Sequence, residues 1–162
     1  MREWQPSAAL MALIDLAFNH GAESVCEGET LVPFVLRERD GHVSIERCMV
    51  MVRGKGGVGG EDGWDPGPSA EEAKAKARAS GGSGAGTDGA TRVIAAYDGY
   101  LRKRDGTRLD AIVVEAYEDG APVAMMMAQA YQPPTEGEEF SLVNDPLTLG
   151  LIERMWGEAS SK

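Results

Sequence analysis

Three strand-length segments joined by two Asp-Gly pairs constrain this chain more than any other feature of its sequence. Residues 92–101, 107–118 and 121–132 are rich in Val, Ile, Tyr and Met, and Asp-Gly pairs at 105–106 and 119–120 separate them. Asp-Gly between apolar segments favours a tight hairpin turn, because both residues tolerate positive φ. Loops this short force neighbouring strands to run antiparallel. The sequence therefore predicts an antiparallel meander.

The middle segment of the meander is apolar on both of its predicted faces. Ile112 and Val114 alternate with Ala111 and Val113. Because successive side chains of a strand point to opposite faces of the sheet, this pattern is typical of a strand that is covered on both sides. We therefore expect the middle segment to lie in the interior of the sheet.

Three helices are predicted outside the meander. Apolar residues at three-and-four spacing predict a helix over residues 6–19, which Gly21 is expected to end. The capping residue Ser69 and an alanine-rich sequence predict a second helix over residues 69–79. A third, short helix is expected over residues 147–156 at the C-terminus.

A second hairpin is predicted between the first two helices. Residues 30–37 and 42–53 are strand-like, and the Asp-Gly pair at 40–41 joins them. Pro33 removes a backbone donor, which favours an edge position for the first of these strands. The predicted order is therefore α-β-β-α-β-β-β-α.

The predicted fold is a single α+β domain over residues 1–162. A chain of 162 residues has the usual length of one domain. We expect an antiparallel sheet of about five strands with the helices packed mainly on one face. Residues 54–68 and 80–90 are crowded with Gly, Pro, Asp and Ser and are predicted to be flexible loops.

The charge of the chain excludes two classes of partner. With 26 acidic and 16 basic side chains, the net charge is -10. Such a molecule repels phosphate backbones and anionic lipid head groups, so neither nucleic acid nor a membrane surface is a predicted partner. Arg102, Lys103, Arg104 and Arg108 form the densest basic group, and we interpret it as the solvated tip of a hairpin.

A cytoplasmic location with free thiols is expected. No apolar run reaches the roughly 18 residues of a spanning helix, and the N-terminal residues lack the pattern of a signal peptide. Cys26 and Cys48 are the two cysteines, and neither belongs to a C-x-x-C pair or has a His at zinc-ligand spacing.

The glycine-rich segment at residues 54–60 resembles two nucleotide-binding patterns. Its glycines fit G-x-G-x-x-G, and residues 55–59 resemble the start of the phosphate-binding loop of the MinD/ParA-type ATPases. That resemblance implies a Lys and a Ser or Thr where this chain has Gly60 and Glu61. Both patterns also require a helix to begin at once, whereas further acidic and glycine residues follow. A linker is therefore the favoured interpretation, and no cofactor is predicted.

Carboxylates of the meander are the candidate chemical groups. Two carboxylates can divide the roles of general acid and base, but Asp110 and Glu115 have opposite parity and face opposite sides of a regular strand. His20 and His42 have no carboxylate or thiol at helix-ligand spacing, so no catalytic or metal-binding residue is predicted. The predicted binding residues are Tyr97, Asp98, Glu115, Tyr117, Met125 and Met127.

The apolar side chains of the meander suggest an interaction protein. They exceed what the short predicted helices can cover on two faces, which predicts a partner on an open sheet face. We expect a non-enzymatic protein-interaction or accessory module that self-associates or binds another protein, for instance one that neutralises or escorts a bacterial protein. Its acidity favours a basic partner. The alternative is a small hydrolase or small-molecule-binding protein that uses the carboxylates of the meander, in a site between the sheet and the glycine-rich loops.

Overall fold

The computed structural model describes residues 4–29, 31–48, 51–53, 64–66, 73–77 and 90–152. In chain order its elements are α1 (Ala8–Val25), β1 (Phe34–Arg39), β2 (His42–Arg47), β3 (Met51–Arg53), β4 (Trp64–Pro66), β5 (Arg92–Arg102), β6 (Arg108–Glu118), β7 (Ala124–Gln132) and β8 (Ser141–Ile152). Residues 73–77 are also helical. Six strands form one antiparallel sheet in the order β2-β1-β5-β6-β7-β8, while β3 and β4 form a separate pair. The predicted α+β fold class is confirmed.

The predicted meander forms the centre of this sheet. β5 and β6 pair over their whole length of eleven residues, and β7 pairs with the other side of β6. Gly106 and Gly120 both have a φ of 91°, a conformation that the two Asp-Gly turns require. Residues 111–118 of β6 are all buried, so this strand lies in the interior as expected.

Helix α1 crosses the sheet and extends six residues beyond its predicted end. Gly21 does not terminate it but lies where the helix approaches the sheet closely, since a Cβ added there would lie 3.0 Å from Cγ2 of Ile112. The helix ends at Val25, whose carbonyl accepts a 2.9 Å hydrogen bond from the amide of Gly28. Gly28 has a φ of 92°, which is typical of the residue that follows a helix.

Two sets of buried side chains cover the two faces of the sheet. On the face that carries α1, called the helix face below, the strands contribute Phe34, Leu36, Ile94, Ala96, Ile112, Val114, Ala116, Met125, Met127 and Tyr131. On the opposite face, called the second face, the buried strand residues are Val35, Val93, Ala95, Tyr97, Ala111, Val113, Tyr117, Ala124 and Ala128. Ala73 and Ala77 of the helical residues 73–77 pack against the second face.

The predicted edge position of the first strand is wrong. β1 lies between β2 and β5 and forms ladders with both. Pro33 does not interrupt these ladders, because β1 begins at Phe34. The carbonyl of Pro33 accepts a hydrogen bond of 2.7 Å from the amide of Cys48. β2 is the edge strand instead.

The predicted C-terminal helix is also wrong, because residues 141–152 form β8. This strand pairs antiparallel with β7 and adds the sixth strand to the sheet. Leu147, Leu149 and Leu151 occupy every second position, a sequence pattern typical of a strand that competes with the helical spacing of Leu147 and Leu151. In the structure a register shift at Leu149 places Leu147 and Leu151 on opposite faces. Residues 153–156 of the predicted helix lie outside the described residues.

The remaining predicted segments are described in part. Residues 73–77 agree with the helix expected over 69–79, whose other residues lie outside the described ranges. The strand β4 falls within the predicted loop at 54–68 and pairs with β3. The predicted strand over 42–53 is not continuous, because Cys48 is outside β2 and residues 51–53 form β3. The rest of 54–68, including the glycine-rich segment, and residues 80–89 are not among the described residues.

A buried carboxylate fixes the start of α1 on the sheet. Ser7 caps the helix by accepting a 3.0 Å hydrogen bond from the amide of Leu10. Glu118 at the end of β6 accepts hydrogen bonds from the amide of Ser7 at 3.0 Å and from its hydroxyl at 2.6 Å. Arg92 joins this carboxylate to Glu38, with distances of 3.2 and 2.8 Å. Three strands and the helix therefore meet in one charged network.

Replacement of Ser7 should weaken the whole fold. We expect Ser7→Ala to lower the free energy of unfolding by about 1–2 kcal/mol, because it removes both the cap and a hydrogen bond to a charged, mostly buried group. Chemical denaturation measures this change. Ser24→Ala is the matched control, since Ser24 donates only to the carbonyl of His20 within the same helix. An equal loss for both variants would contradict the role of the network.

Candidate functional site

The sheet divides the predicted binding residues between its two faces. Tyr97, Glu115 and Tyr117 lie on the second face, whereas Asp98 occupies the helix face. Asp110 and Glu115 lie on opposite faces of the sheet, as their opposite parity predicts, so the sheet separates the two carboxylates. The six residues therefore do not form one site.

Glu115 is the most deeply buried carboxylate among the described residues. Its side chain is only 4% exposed. The hydroxyl of Tyr97 donates to its Oε2 at 2.5 Å, and Nζ of Lys74 lies 3.9 Å from the same oxygen. That ammonium also lies 4.8 Å from the centre of the Tyr97 ring. Because burial of a lone carboxylate is costly, these two partners are what make its position tolerable.

The Glu115 cluster connects the sheet to the helical residues 73–77. Tyr97 and Glu115 are diagonal neighbours on β5 and β6, while Lys74 comes from the helical segment. The sequence identified Tyr97 and Glu115 but not Lys74, which is far away along the chain. A second contact joins the same elements, since Lys76 donates to Glu46 of β2. The geometry is that of an attachment point between two layers.

The Tyr97 hydroxyl should contribute measurably to stability. We expect Tyr97→Phe to lower the free energy of unfolding by about 1.5–3 kcal/mol, because a buried carboxylate loses its hydrogen-bond donor. Denaturation at neutral pH tests this. Tyr100→Phe removes a hydroxyl from the same strand at a ring that is 48% exposed, and it should change stability by less than about 0.5 kcal/mol. Equal effects would show that the Tyr97 hydroxyl has no special role.

Three other predicted residues occupy structural positions. The hydroxyl of Tyr117 donates to the carbonyl of Ala121 at 2.9 Å, across the turn that joins β6 and β7. Met125 and Met127 are buried beneath α1 in the core of the helix face. Core packing therefore accounts for both methionines.

Asp98 belongs to a second polar group, at the hairpin end of the helix face. Tyr131 of β7 donates to its Oδ1 at 3.2 Å, and Phe140 packs on the Tyr131 ring with centroids 5.7 Å apart. Desolvation raises the pKa of Asp98, the hydrogen bond from Tyr131 opposes this shift, and the charge of Asp110 adds to it. Desolvation and the same two carboxylates raise the pKa of Tyr131. Sequence reasoning missed Tyr131, because only the sheet register brings it to Asp98.

The raised pKa of Asp98 predicts a pH dependence of stability. The folded protein holds this proton more tightly than the unfolded chain, so the group stabilises the fold at pH values below about 3.9. That contribution is lost as the pH rises through the folded pKa. Asp98→Asn should therefore raise the free energy of unfolding at pH 7, by less than about 1 kcal/mol because the side chain is exposed. No gain is expected at pH 3.

Asp105→Asn provides a control of opposite sign. Its carboxylate accepts a hydrogen bond of 2.8 Å from the amide of Thr107, and hydrogen bonds from Thr107 lower the pKa of Asp105. A lowered pKa stabilises the fold above the unfolded value and loses this effect as the pH falls. Asp105→Asn should therefore not stabilise the protein at pH 7. Identical responses of the two variants would contradict the assigned environment of Asp98.

Exposed apolar side chains are concentrated at the two edges of the sheet. Val43 and Ile45 on β2 are 45% and 44% exposed. The other edge strand, β8, carries a larger set, called the β8 leucines below: Leu142, Leu147, Leu149 and Leu151, exposed by 51%, 52%, 44% and 54%. The sequence predicted a surplus of apolar side chains on an open face. The described strand residues of both faces are mostly buried, and the surplus lies at the edges.

Two register shifts divide β8 into three paired segments. The pairing with β7 shifts between Ala128 and Ala130, and Asn144 has a φ of 61°. Gln129 is buried there, and its amide donates to the carbonyls of Val143 and Asn144 at 3.3 and 3.0 Å. These bonds satisfy carbonyls that the bulge releases from the ladder. A second shift lies between Met126 and Met127, which pair with Gly150 and Thr148, so Leu149 has no register partner on β7 and the part after Pro146 is interrupted as well.

An open groove of about 260 Å³ lies between α1 and β2. Its lining residues are Leu16, His20, Leu36, Val43, Ser44 and Ile45. The His20 ring meets Phe34 edge to face, with centroids 4.7 Å apart, and its buried Nε2 has no hydrogen-bond partner among the described residues. The groove is therefore mainly apolar.

Metal-ligating side chains and apolar helices are two further features of the described part of the chain. There, no three His, Cys, Asp or Glu side chains are grouped so that they could hold a metal ion. No described helix has both the length and the apolar character needed to cross a membrane. Cys48 is buried, Cys26 is partly exposed, and both are free thiols as predicted.

No protein-family model, curated protein or solved structure matches this chain. The geometry of the described residues is therefore the basis for a functional inference.

Proposed function

We propose that this protein is an interaction module that pairs with a second copy of itself through the outer edge of β8. The observation that carries this proposal is the set of β8 leucines on a strand that has no neighbour on its outer side within the described residues. A strand edge offers unpaired backbone donors and acceptors, and apolar side chains beside it favour addition of another strand.

The orientation of the β8 leucines favours edge pairing over docking on one face. Leu151 is opposite Met125 and therefore lies on the helix face, whereas Leu147 is opposite Ala128 and lies on the second face. A partner placed flat on either face would cover only some of these side chains. A strand added to the edge approaches both sides at once.

The distribution of charge favours a second copy as the partner. The chain has a net charge of -10, so two copies repel each other over most of their surface. Among the twelve residues of β8, Asp145 is the one charged side chain, and it lies in the bulge. The segment from Leu147 to Ile152 can therefore pair with the same segment of a second copy without placing like charges next to each other.

The alternative of a small hydrolase or small-molecule-binding protein has less support. Such a site needs a carboxylate that can reach a ligand. Glu115 is buried with Tyr97 and Lys74 as partners, and Asp98 is on the other face. The described carboxylates of the meander therefore do not converge on a common space.

Charges placed on the β8 edge should abolish self-association. We expect the unmodified protein to be a dimer by size-exclusion chromatography with light scattering. The double variant Leu147→Lys/Leu149→Lys should be monomeric, because two buried charges would be brought into the interface.

The double variant Val43→Lys/Ile45→Lys is the matched control. It adds the same charge at side chains of similar exposure on the opposite edge, and it should remain dimeric. A monomeric unmodified protein at all concentrations tested would refute the proposal. If only the β2 variant dissociated, the interface would lie at β2 and not at β8, which would also refute the proposal.

A further inference from the structure

The tip of the β5–β6 hairpin is a basic patch on an acidic protein. Residues 102–108 contain four basic side chains and one acidic side chain, Asp105, and all seven residues are exposed. The segment thus carries a net charge of +3, whereas the whole chain carries -10. Exposed charges are common at a hairpin turn, but the sign of these charges is opposite to that of the whole molecule.

The register of the hairpin places two like charges side by side. Arg102 and Arg108 are directly opposite each other on β5 and β6. Like charges in this position destabilise a strand pair, by a few tenths of a kcal/mol to about 1 kcal/mol. Nothing in the turn requires two arginines, because Asp-Gly alone specifies it. Their pairing therefore has a structural cost that the turn itself does not require.

An aromatic ring holds both guanidinium groups at the tip. The Cζ atoms of Arg108 and Arg102 lie 4.1 and 5.8 Å from the centre of the Tyr100 ring. Within the described part of the chain, neither guanidinium forms a salt bridge, although the charge of Arg108 acts on Asp98 at longer range, and Arg102 donates only a long bond of 3.3 Å to the carbonyl of Gly106. Most of their N–H groups are therefore available to another molecule.

We propose that the surface formed by Tyr100 and residues 102–108, called the arginine tip below, binds a short acidic segment of a partner protein. Paired guanidinium groups present forked donors that match the two oxygens of a carboxylate. A carboxylate between Arg102 and Arg108 also removes the repulsion between them. Contact with the Tyr100 ring restrains the Arg108 guanidinium before binding, which reduces the entropy lost on association.

Two observations favour an acidic peptide over nucleic acid. Single-stranded nucleic acid binds by stacking its bases on free aromatic faces, and a guanidinium already lies on the one exposed ring of the tip. A long phosphate chain would also extend over the acidic remainder of the protein. Attraction at physiological salt reaches only about 8 Å, so a short acidic segment meets the tip without that repulsion.

Binding of a labelled peptide of four glutamates to the full chain tests this proposal. A peptide of four glutamines and a single-stranded oligonucleotide of four nucleotides are measured beside it by fluorescence anisotropy. We expect the glutamate peptide to bind, the glutamine peptide not to bind, and the oligonucleotide to bind more weakly. An oligonucleotide affinity equal to or above that of the glutamate peptide, or no binding of the glutamate peptide, would overturn the proposal.

Substitutions at exposed positions separate a built site from general attraction. Arg108→Lys keeps the charge but loses the fork and the stacking, and Tyr100→Ala removes the platform. Each substitution should lower the affinity for the glutamate peptide about tenfold. Arg47→Gln removes one exposed charge on β2, far from the hairpin, and should leave affinity unchanged. Full affinity in Arg108→Lys, or an equal loss in Arg47→Gln, would show that no specific site exists.

The arginine tip and the β8 edge are separate surfaces, so either proposal can fail alone. Leu147→Lys/Leu149→Lys leaves the tip unchanged, and this variant should bind the glutamate peptide as the unmodified protein does. Failure of self-association with peptide binding intact would refute the β8 interface only. Loss of peptide binding in this variant would instead refute the independence of the tip.

Discussion

The architecture depends on the requirement that β6 be covered on both of its faces. Every residue from Ala111 to Glu118 is buried, so water reaches neither side of this strand along most of its length. α1 supplies the cover on one face, and the close approach at Gly21 brings its backbone directly against Ile112. The second face places Glu115 among apolar neighbours, where a carboxylate needs donors that stay in place. The short helical segment at residues 73–77 supplies one of them through Lys74.

The same requirement explains why the exposed apolar side chains lie at the edges. Because α1 and the helical residues 73–77 cover the central strands, they cover less of the outer strands. β2 and β8 therefore retain half-exposed Val, Ile and Leu side chains. The two edges are not equivalent, since β2 alternates these residues with polar and charged ones, whereas residues 147–152 of β8 include no charged side chain. A distinct chemistry at each edge is the basis for assigning them different roles.

The meander was predictable because its determinants are local. Asp-Gly turns specify the hairpins, and alternation on both faces of residues 111–117 identifies the interior strand. β8 was missed because Leu147 and Leu151 fit a helix by spacing when Leu149 is left out. The prediction that β1 lies at an edge was wrong, because a single proline before the strand does not determine which strands pair with it. Contacts such as Lys74 with Glu115 and Tyr131 with Asp98 depend on tertiary proximity, which no spacing in the sequence reveals.

The bulge held by Gln129 has a consequence for the way in which copies of this chain can assemble. An uninterrupted edge of twelve residues would accept strands in many alignments and could grow into fibres. The shifts at residues 144–146 and at Leu149 instead leave paired segments of three, two and three residues. Such short segments limit the alignments in which another strand can be added, so the proposed pairing of two copies by twofold symmetry would close the assembly instead of extending it.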